Sequence, residues 1–393
     1  MDTSNSGLSF DFTDEQQMFR EAMRDMANKE FSKEYCREVE QRDEFPWDLW
    51  ERIGRNGLNG IGVSEEYGGQ GGGIIEQMIL AEELSRTMAG LLWAWGVTSF
   101  AGAKAVGLFG NEIQKTEMLP KIAAGEQMWA IALTEPGGGT DVLGAMRTYA
   151  DKVDGGWVVN GSKIWSTLAH VADRLLLVAR TDRTVERPSH GITVFLCDAK
   201  SPGITATTIP KLGMRSLGSC EVQFDNVFIP DADVLGEPDK GWRMLVESLN
   251  SERILVAADC CGALAGVLED MVQYAGERHA FGKPLGALQV IQHMVADTSM
   301  GLETARLHTY RAAWLQSQGR PCAVESTTAK VIASEACVDG ADRGIQILGG
   351  YGYATEFDMQ RYWRDMRLYR IAPISNEMGR NFVGESLGLP RSF

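Results

Sequence analysis

Four short stretches of this 393-residue chain bring together residue types suited to holding a flat, phosphorylated ligand. The first, Ile131 to Asp141 (IALTEPGGGTD), opens apolar as a strand would, then meets Thr134, Glu135, Pro136, three glycines, Thr140 and Asp141. A strand that stops at such a turn leaves bare backbone N–H groups and two small hydroxyls at one edge. That suits a phosphate or the polar rim of a planar ring, although an ordinary glycine-rich turn between strands uses the same residues. The second, Asn160 to Thr167 (NGSKIWST), makes a tight Asn-Gly turn and then a strand with Trp165 and Thr167 on one face. An indole there can lie against a ring while the hydroxyl beside it donates to a ring nitrogen, or it can fill a half-buried core position. In the third, Glu277 to Pro284 (ERHAFGKP), Arg278 is a bidentate donor suited to a pyrophosphate, in a place where a helix dipole alone also favours arginine. The fourth, Gln346 to Gly352 (QILGGYG), allows close backbone approach to a ligand or serves as a glycine cap.

The elements that must position these stretches fall into three parts: residues 1–128 helical, 129–236 a β-domain, and 237–393 helical again. Thr13 with Gln16 forms a capping box, and Phe19, Met23, Met26 and Phe31 follow at helical spacing. Met78 to Leu84 and Leu91 to Leu108 are further apolar helical stretches, joined to the first by the glycine-rich Gly57 to Gly73. That connection has no strand-then-helix context for a dinucleotide fingerprint. From Trp129 to Leu235, short apolar runs alternate with Gly, Pro and Asn turns, the pattern of strands. In the C-terminal part, Asn250 or Ser251 is expected to cap a long helix rich in small residues. Leu288 to Leu315 and Cys322 to Leu348 are further helices, the last stopped by Gly349 and Gly350. Long helices with short loops predict an antiparallel bundle.

Composition narrows the functions. The length allows two or three domains, and 44% hydrophobic with 23% charged residues is the balance of a globular protein. A net charge of −15 argues against nucleic acid and anionic membranes as main partners. The seven cysteines form no C-x-x-C pair and the five histidines no H-E-x-x-H, so no zinc site and a reducing compartment are expected. No apolar run reaches bilayer length, and the opening MDTSNSGLSFDF has neither a basic signal region nor an Arg-rich presequence. A cytoplasmic protein without membrane insertion is the expectation.

In their order and spacing, TEPGGGTD, NGSKIWST, ERHAFGKP and QILGGYGY, followed by RYWRDMRLYR, resemble the acyl-CoA dehydrogenases over nearly the whole chain. The resemblance implies an α+β multidomain fold with an N-terminal all-α domain, a central β-domain and a C-terminal four-helix bundle. It also implies a homotetramer holding FAD. By that likeness Thr134 and Thr167 hydrogen-bond the flavin and Trp165 packs on it. Arg278, Phe281, Gln289, Gln346 and Gly350 reach the pyrophosphate and adenine of a neighbouring subunit's FAD. Ser375 and Glu377 border the cofactor, Thr140 lies near the cofactor and the CoA arm, and Arg253 lies beside the acyl-CoA site.

The reaction implied is α,β-dehydrogenation of a CoA thioester, with electrons passed to an electron-transfer flavoprotein. Many family members carry their base as Glu in a segment resembling IYEGTSE. Counted without a gap from Arg364-Asp365, that glutamate's place here is Pro373, which also lacks the backbone N–H that the family directs at the thioester carbonyl. A minority, resembling the isovaleryl and long-chain enzymes, place the base just before the arginine matching Arg253. This makes Glu252 the expected base, against the alternative of a first-turn glutamate favoured by the helix dipole. Two other reactions on the same fold stay open: enoyl-CoA reduction of the crotonobetainyl-CoA reductase type, and flavin monooxygenation. A DNA-binding flavoprotein relative wants a basic face, which the charge disfavours.

Overall fold

A computed structural model describes residues 11–392. The opening segment expected to lack a targeting signal lies, up to residue 10, outside the described residues. The N-terminal part is α1 (Asp14–Glu30), α2 (Lys33–Glu40), α3 (Trp47–Arg55), α4 (Ile74–Met88), α5 (Trp93–Thr98), α6 (Ala105–Phe109) and α7 (Glu112–Ala123). The capping box starts α1: Gln16 N–H donates to Thr13 Oγ1 and Thr13 N–H to Gln16 Oε1, both at 3.2 Å. The apolar stretch from Leu91 to Leu108 is broken, with a π-turn over Ser99–Lys104 between α5 and α6.

The central part is one sheet of β1 (Trp129–Ala132), β2 (Tyr149–Val153), β3 (Gly156–Thr167), β4 (Arg174–Arg180), β5 (Ile192–Asp198), β6 (Ile204–Thr208), β7 (Ser219–Pro230) and β8 (Val234–Leu235). Its order is β6-β7-β3-β2-β4-β5-β8, with β1 parallel to β4. The continuous apolar runs of β4 and β5 are buried on both faces. β3 and β7 alternate, each with one wet face.

In the C-terminal part α8 (Gly241–Glu277) leads to a hairpin of β9 (His279–Ala280) and β10 (Lys283–Pro284). Then follow α9 (Gln289–Ser317), α10 (Ala323–Leu348), α11 (Gly350–Tyr353), α12 (Met359–Met366) and α13 (Asn376–Ser386). The long helices α8, α9 and α10 pack on one another, and α12 and α13 close against α10. Two glycines bring α4 onto α8: a Cβ on Gly262 would lie 2.0 Å from the Glu82 carbonyl oxygen, and one on Gly266 2.3 Å from that of Arg86. The C-terminus of α4 is sealed from far along the chain. Buried Arg361 donates to the carbonyls of Thr87 at 2.7 Å and Met88 at 3.1 Å while pairing with Asp358.

One boundary differs from the sequence expectation. Neither Asn250 nor Ser251 caps a helix, because α8 has already begun at Gly241. Both side chains bridge helices instead. Asn250 Oδ1 accepts from Ser326 Oγ at 3.3 Å, and Ser251 Oγ accepts from Gln316 Nε2 at 2.7 Å. Interhelical partners outcompete the local cap. Among the described residues no helix is long and apolar enough to cross a membrane.

Candidate active site

The TEPGGGTD turn and the NGSKIWST strand are joined covalently by nothing near, yet three polar contacts lock them together. Ile164 N–H donates to Thr134 O at 2.8 Å. Lys163, at zero exposure, donates through Nζ to Leu133 O and to Glu135 Oε1, both at 2.8 Å. Glu135 also accepts from the backbone N–H groups of Arg147 at 2.5 Å and Thr148 at 2.9 Å. Burial would raise the Glu135 carboxyl, but Lys163 and these N–H groups outweigh it and hold it below its ordinary value. Burial pushes the Lys163 ammonium down to about 8. The pair fixes Thr134 beside the end of β3, where the register against β7 slips between Lys163 and Ser166. At this bulge Trp165 takes φ 63° and is 56% exposed. Thr167 follows, its Oγ1 3.3 Å from Ser219 Oγ. An open indole beside two hydroxyls is thus presented at the sheet edge.

The hairpin after α8 puts Phe281 (φ 54°) and Gly282 (φ 78°) in a two-residue turn with both φ positive, the twist that suits paired strands. Phe281 stands 93% exposed at its tip. The Arg278 guanidinium lies 6.0 Å from the centre of the Tyr351 ring, which brings ERHAFGKP against QILGGYGY. Gln289 opens α9, Gln346 sits in the last turn of α10, and Gly350 follows it; all three are exposed. The exposed indole, the paired hydroxyls and a guanidinium facing a ring instead of a carboxylate fit the isoalloxazine and pyrophosphate ends of FAD.

A cleft of about 580 Å³ gathers Thr140, Ser375 and Glu377 with Arg367, Arg370 and Asn381. Ser375 caps α13, its Oγ accepting from Met378 N–H at 3.3 Å. Glu377 stands in the first turn of that helix, where backbone N–H groups hold its carboxyl below the ordinary value. The strap over Ile371–Asn376 is braced from beneath by Lys330, at zero exposure on α10. Its Nζ donates to Ile374 O at 2.5 Å and to Asn376 Oδ1 at 2.8 Å. Burial pushes this ammonium down to about 8. Pro373 is exposed within the strap, and among the described residues the Ile374 N–H has no backbone acceptor.

Glu252 is the twelfth residue of α8, well past the first turn where a helix dipole acts. The dipole alternative for this residue therefore fails. Its side chain is half-buried and makes no hydrogen bond or ion pair among the described residues. Burial raises it to about 7, against the opposing pull of Arg253 and Lys330. Arg253 is steadied by donating from Nη1 to Asn250 Oδ1 at 3.2 Å.

The predicted residues thus fall into groups: Thr134, Trp165 and Thr167 at the sheet edge; Thr140, Ser375 and Glu377 in the cleft; Glu252 with Arg253 on α8; and Arg278, Phe281, Gln289, Gln346 and Gly350 on an open face. Sequence reasoning missed Lys163, Glu135, Lys330 and Asn376 as the supports. A signal for Lys163 existed, since it continues the inward phase of Trp157 and Val159 along β3. A lysine in that phase needs a buried acid.

The sequence matches three family descriptions end to end: acyl-CoA dehydrogenase N-terminal domain over residues 13–126, middle domain over 130–227 and C-terminal domain over 239–388. It is 37% identical over 376 residues to an acyl-CoA dehydrogenase of Bacillus subtilis, covering 95% of this chain and 98% of that one. The fold superposes on the butyryl-CoA dehydrogenase of Megasphaera elsdenii with a TM-score of 0.92 at 32% identity, over 97% of this chain and all of that one. An FAD complex of PigA gives the same TM-score at 26% identity, over 97% of this chain and 100% of the other. The chain belongs to the acyl-CoA dehydrogenase family, oxidoreductases that act on acyl-CoA.

Proposed function

We propose that the protein binds FAD and α,β-dehydrogenates an acyl-CoA thioester, with Glu252 as the base. The observation that carries this is Glu252 itself: a carboxylate without a partner, poised near 7 by burial, on α8 beside the braced strap. A base must hold its proton loosely enough to be free at working pH and tightly enough to take one from a weak carbon acid, and a raised carboxylate does both. Glu252 takes the α-proton of the thioester, and Arg253 and Lys330 keep the carboxylate ionised enough to do so. FAD, held by the residues of the sheet edge and the cleft, would supply the acceptor for the β-hydrogen, which leaves as hydride. Thr134 and Thr167 orient the ring and Trp165 covers it, while Thr140, Ser375 and Glu377 line its approach. Pro373 offers no N–H to the thioester carbonyl. The Ile374 N–H, in the strap that Lys330 braces, takes that role; one such donor is worth about 3 kcal/mol of transition-state stabilisation.

The exposed Arg278, Phe281, Gln289, Gln346 and Gly350 support a homotetramer in which one subunit completes another's FAD site. Electrons then pass to an electron-transfer flavoprotein. Anaerobic mixing of the yellow holoenzyme with a panel of CoA thioesters, following flavin bleaching, tests the reading. Bleaching by saturated thioesters with release of the enoyl product supports it. A flavin that responds only to enoyl-CoA after prior reduction assigns the protein to the reductase direction instead. A cytoplasmic location is the matching expectation.

A further inference from the structure

The cleft that gathers Thr140, Ser375 and Glu377 has a wall that the dehydrogenation chemistry leaves unused. After α12 the chain makes a single 3₁₀ turn, Arg367–Arg370, just before the strap. In a 3₁₀ turn residues three apart eclipse one another, so Arg367 and Arg370 leave the chain on the same side. Both line the cleft.

Their partners do not use up their charge. Arg370 Nη2 pairs with the Asp339 carboxylate and lies 3.4 Å from Glu335 O, while its Nε is shut away from solvent with no acceptor. Arg367 is half-buried and makes no hydrogen bond or ion pair among the described residues; its Nη1 is likewise cut off from solvent and bare. The acids that line the same cleft are engaged elsewhere. Glu335 accepts from Arg380 Nη2 on both oxygens at 2.7 Å and from Asn376 Nδ2 at 3.3 Å. Glu377 is held by the start of α13. A half-buried guanidinium costs free energy unless an anion offsets it, because it has lost part of its hydration and gained nothing in return. In a chain of net charge −15, an unmatched cation in a cleft stands against the general trend.

The donor set says which anion. One guanidinium fork fills a carboxylate. Two guanidiniums on one side of a turn, with the exposed Thr140 hydroxyl that has no partner among the described residues, offer more donors than that. They match the larger oxygen set of a phosphate. Arg278, on the hairpin after α8, does not line this cleft.

We propose that Arg367 and Arg370, with Thr140 from the glycine-rich turn, form a phosphate subsite in the cleft. This rests on the reading that the cleft admits FAD or an acyl-CoA thioester, both of which carry phosphates. The two sources are separated by experiment.

Arg367→Met is the main variant. Its side chain has no partner to lose, so the unfolding midpoint of the FAD-free protein is expected to stay at or above the wild-type value. Arg370→Gln, which gives up little beyond Asp339, serves if Arg367→Met fails to fold. FAD and riboflavin are titrated separately into the FAD-free full chain, following flavin fluorescence. A cofactor phosphate in the subsite weakens FAD binding roughly 10- to 100-fold in the variant and leaves riboflavin binding unchanged. Flavin bleaching of the holoenzyme then compares a saturated acyl-CoA with the matching acyl-pantetheine, which keeps the thioester and lacks the phosphates. A substrate phosphate in the subsite gives a wild-type kcat/KM preference for the CoA form that shrinks by a similar factor in the variant, with FAD retained. Either result supports the subsite and names its ligand. FAD and riboflavin weakened alike, or an FAD affinity and a thioester preference that both stay unmoved, overturn it and keep the dehydrogenase reading. A protein that takes up no FAD and is bleached by no thioester overturns both.

Discussion

Lys163 Nζ and Glu135 Oε1 lie 2.8 Å apart with both side chains shut away from solvent, at zero and 6% exposure. An ion pair in such a place stabilises a fold weakly, because desolvation consumes most of the attraction. Its effect here is positional: it fastens the turn bearing Thr134 and Thr140 to the strand bearing Trp165 and Thr167.

Lys163→Met breaks the pair from one side and is expected to cost about 3–5 kcal/mol in chemical denaturation, the penalty of an orphaned buried charge. Flavin content should fall with it, since the turn loses its tether. The Glu135 carboxyl is held below its ordinary value, so its stabilising contribution is present at neutral pH and lost as pH falls through that lowered value. Full stability and full flavin content in Lys163→Met refute the tethering role.

Glu252→Gln preserves shape and removes the base. Flavin bleaching by substrate is expected to slow roughly 100- to 10,000-fold, with FAD retained. In the wild type the bleaching rate should rise with pH through about 7, as the carboxyl loses its proton, and this rise should vanish in the variant. The folded carboxyl sits above its unfolded value, so its contribution to stability is present in acid and lost as pH rises through about 7; above that the variant should be the more stable protein. Restoring activity with Pro373→Glu in the Glu252→Gln background would show that the strap can still present a base.

Lys330→Met removes a positive charge near Glu252 as well as the brace under Ile374 and Asn376. The midpoint of the bleaching profile is expected to move to higher pH, and the rate at pH 7 to drop. A merely structural lysine would lower the amount of folded enzyme and leave that midpoint in place. Stopped-flow traces across pH distinguish the two.

Arg278→Ala is expected to weaken FAD retention on gel filtration far more than it lowers the unfolding midpoint, because the side chain is exposed, faces the Tyr351 ring and makes no side-chain hydrogen bond or ion pair among the described residues. Light scattering on the same samples reports the assembly. A monomer with full flavin occupancy would refute a site shared between subunits.

Much of the framework was legible in the residues. The Thr13–Gln16 box, the doubly buried runs of β4 and β5, and the glycine stop after Leu348 each have local causes, and the structure shows all three. The start of α8 was not legible, because Asn250 and Ser251 carry cap chemistry that Ser326 and Gln316 claim from distant helices. The supports Lys163 and Lys330 were hidden for a related reason. A lysine reads as a solvated residue until the acid or carbonyl that receives it is known, and those partners lie 28 and 44 residues away. Glu252 was found by its place in a motif, while its perturbed proton affinity depends on helices the motif does not contain.

Arg361 closes the last turn of α4 from 274 residues downstream. During synthesis at about 5–20 residues per second, Thr87 leaves the ribosome on the order of tens of seconds before that arginine exists. Throughout that interval the end of α4 carries bare carbonyls, and until residue 266 has been made its α8-facing side, the one met by Gly262 and Gly266, has nothing to lie against. The N-terminal helices are therefore a natural client for chaperones on the nascent chain, and a ribosome stalled before codon 361 would release a fragment with an open seam.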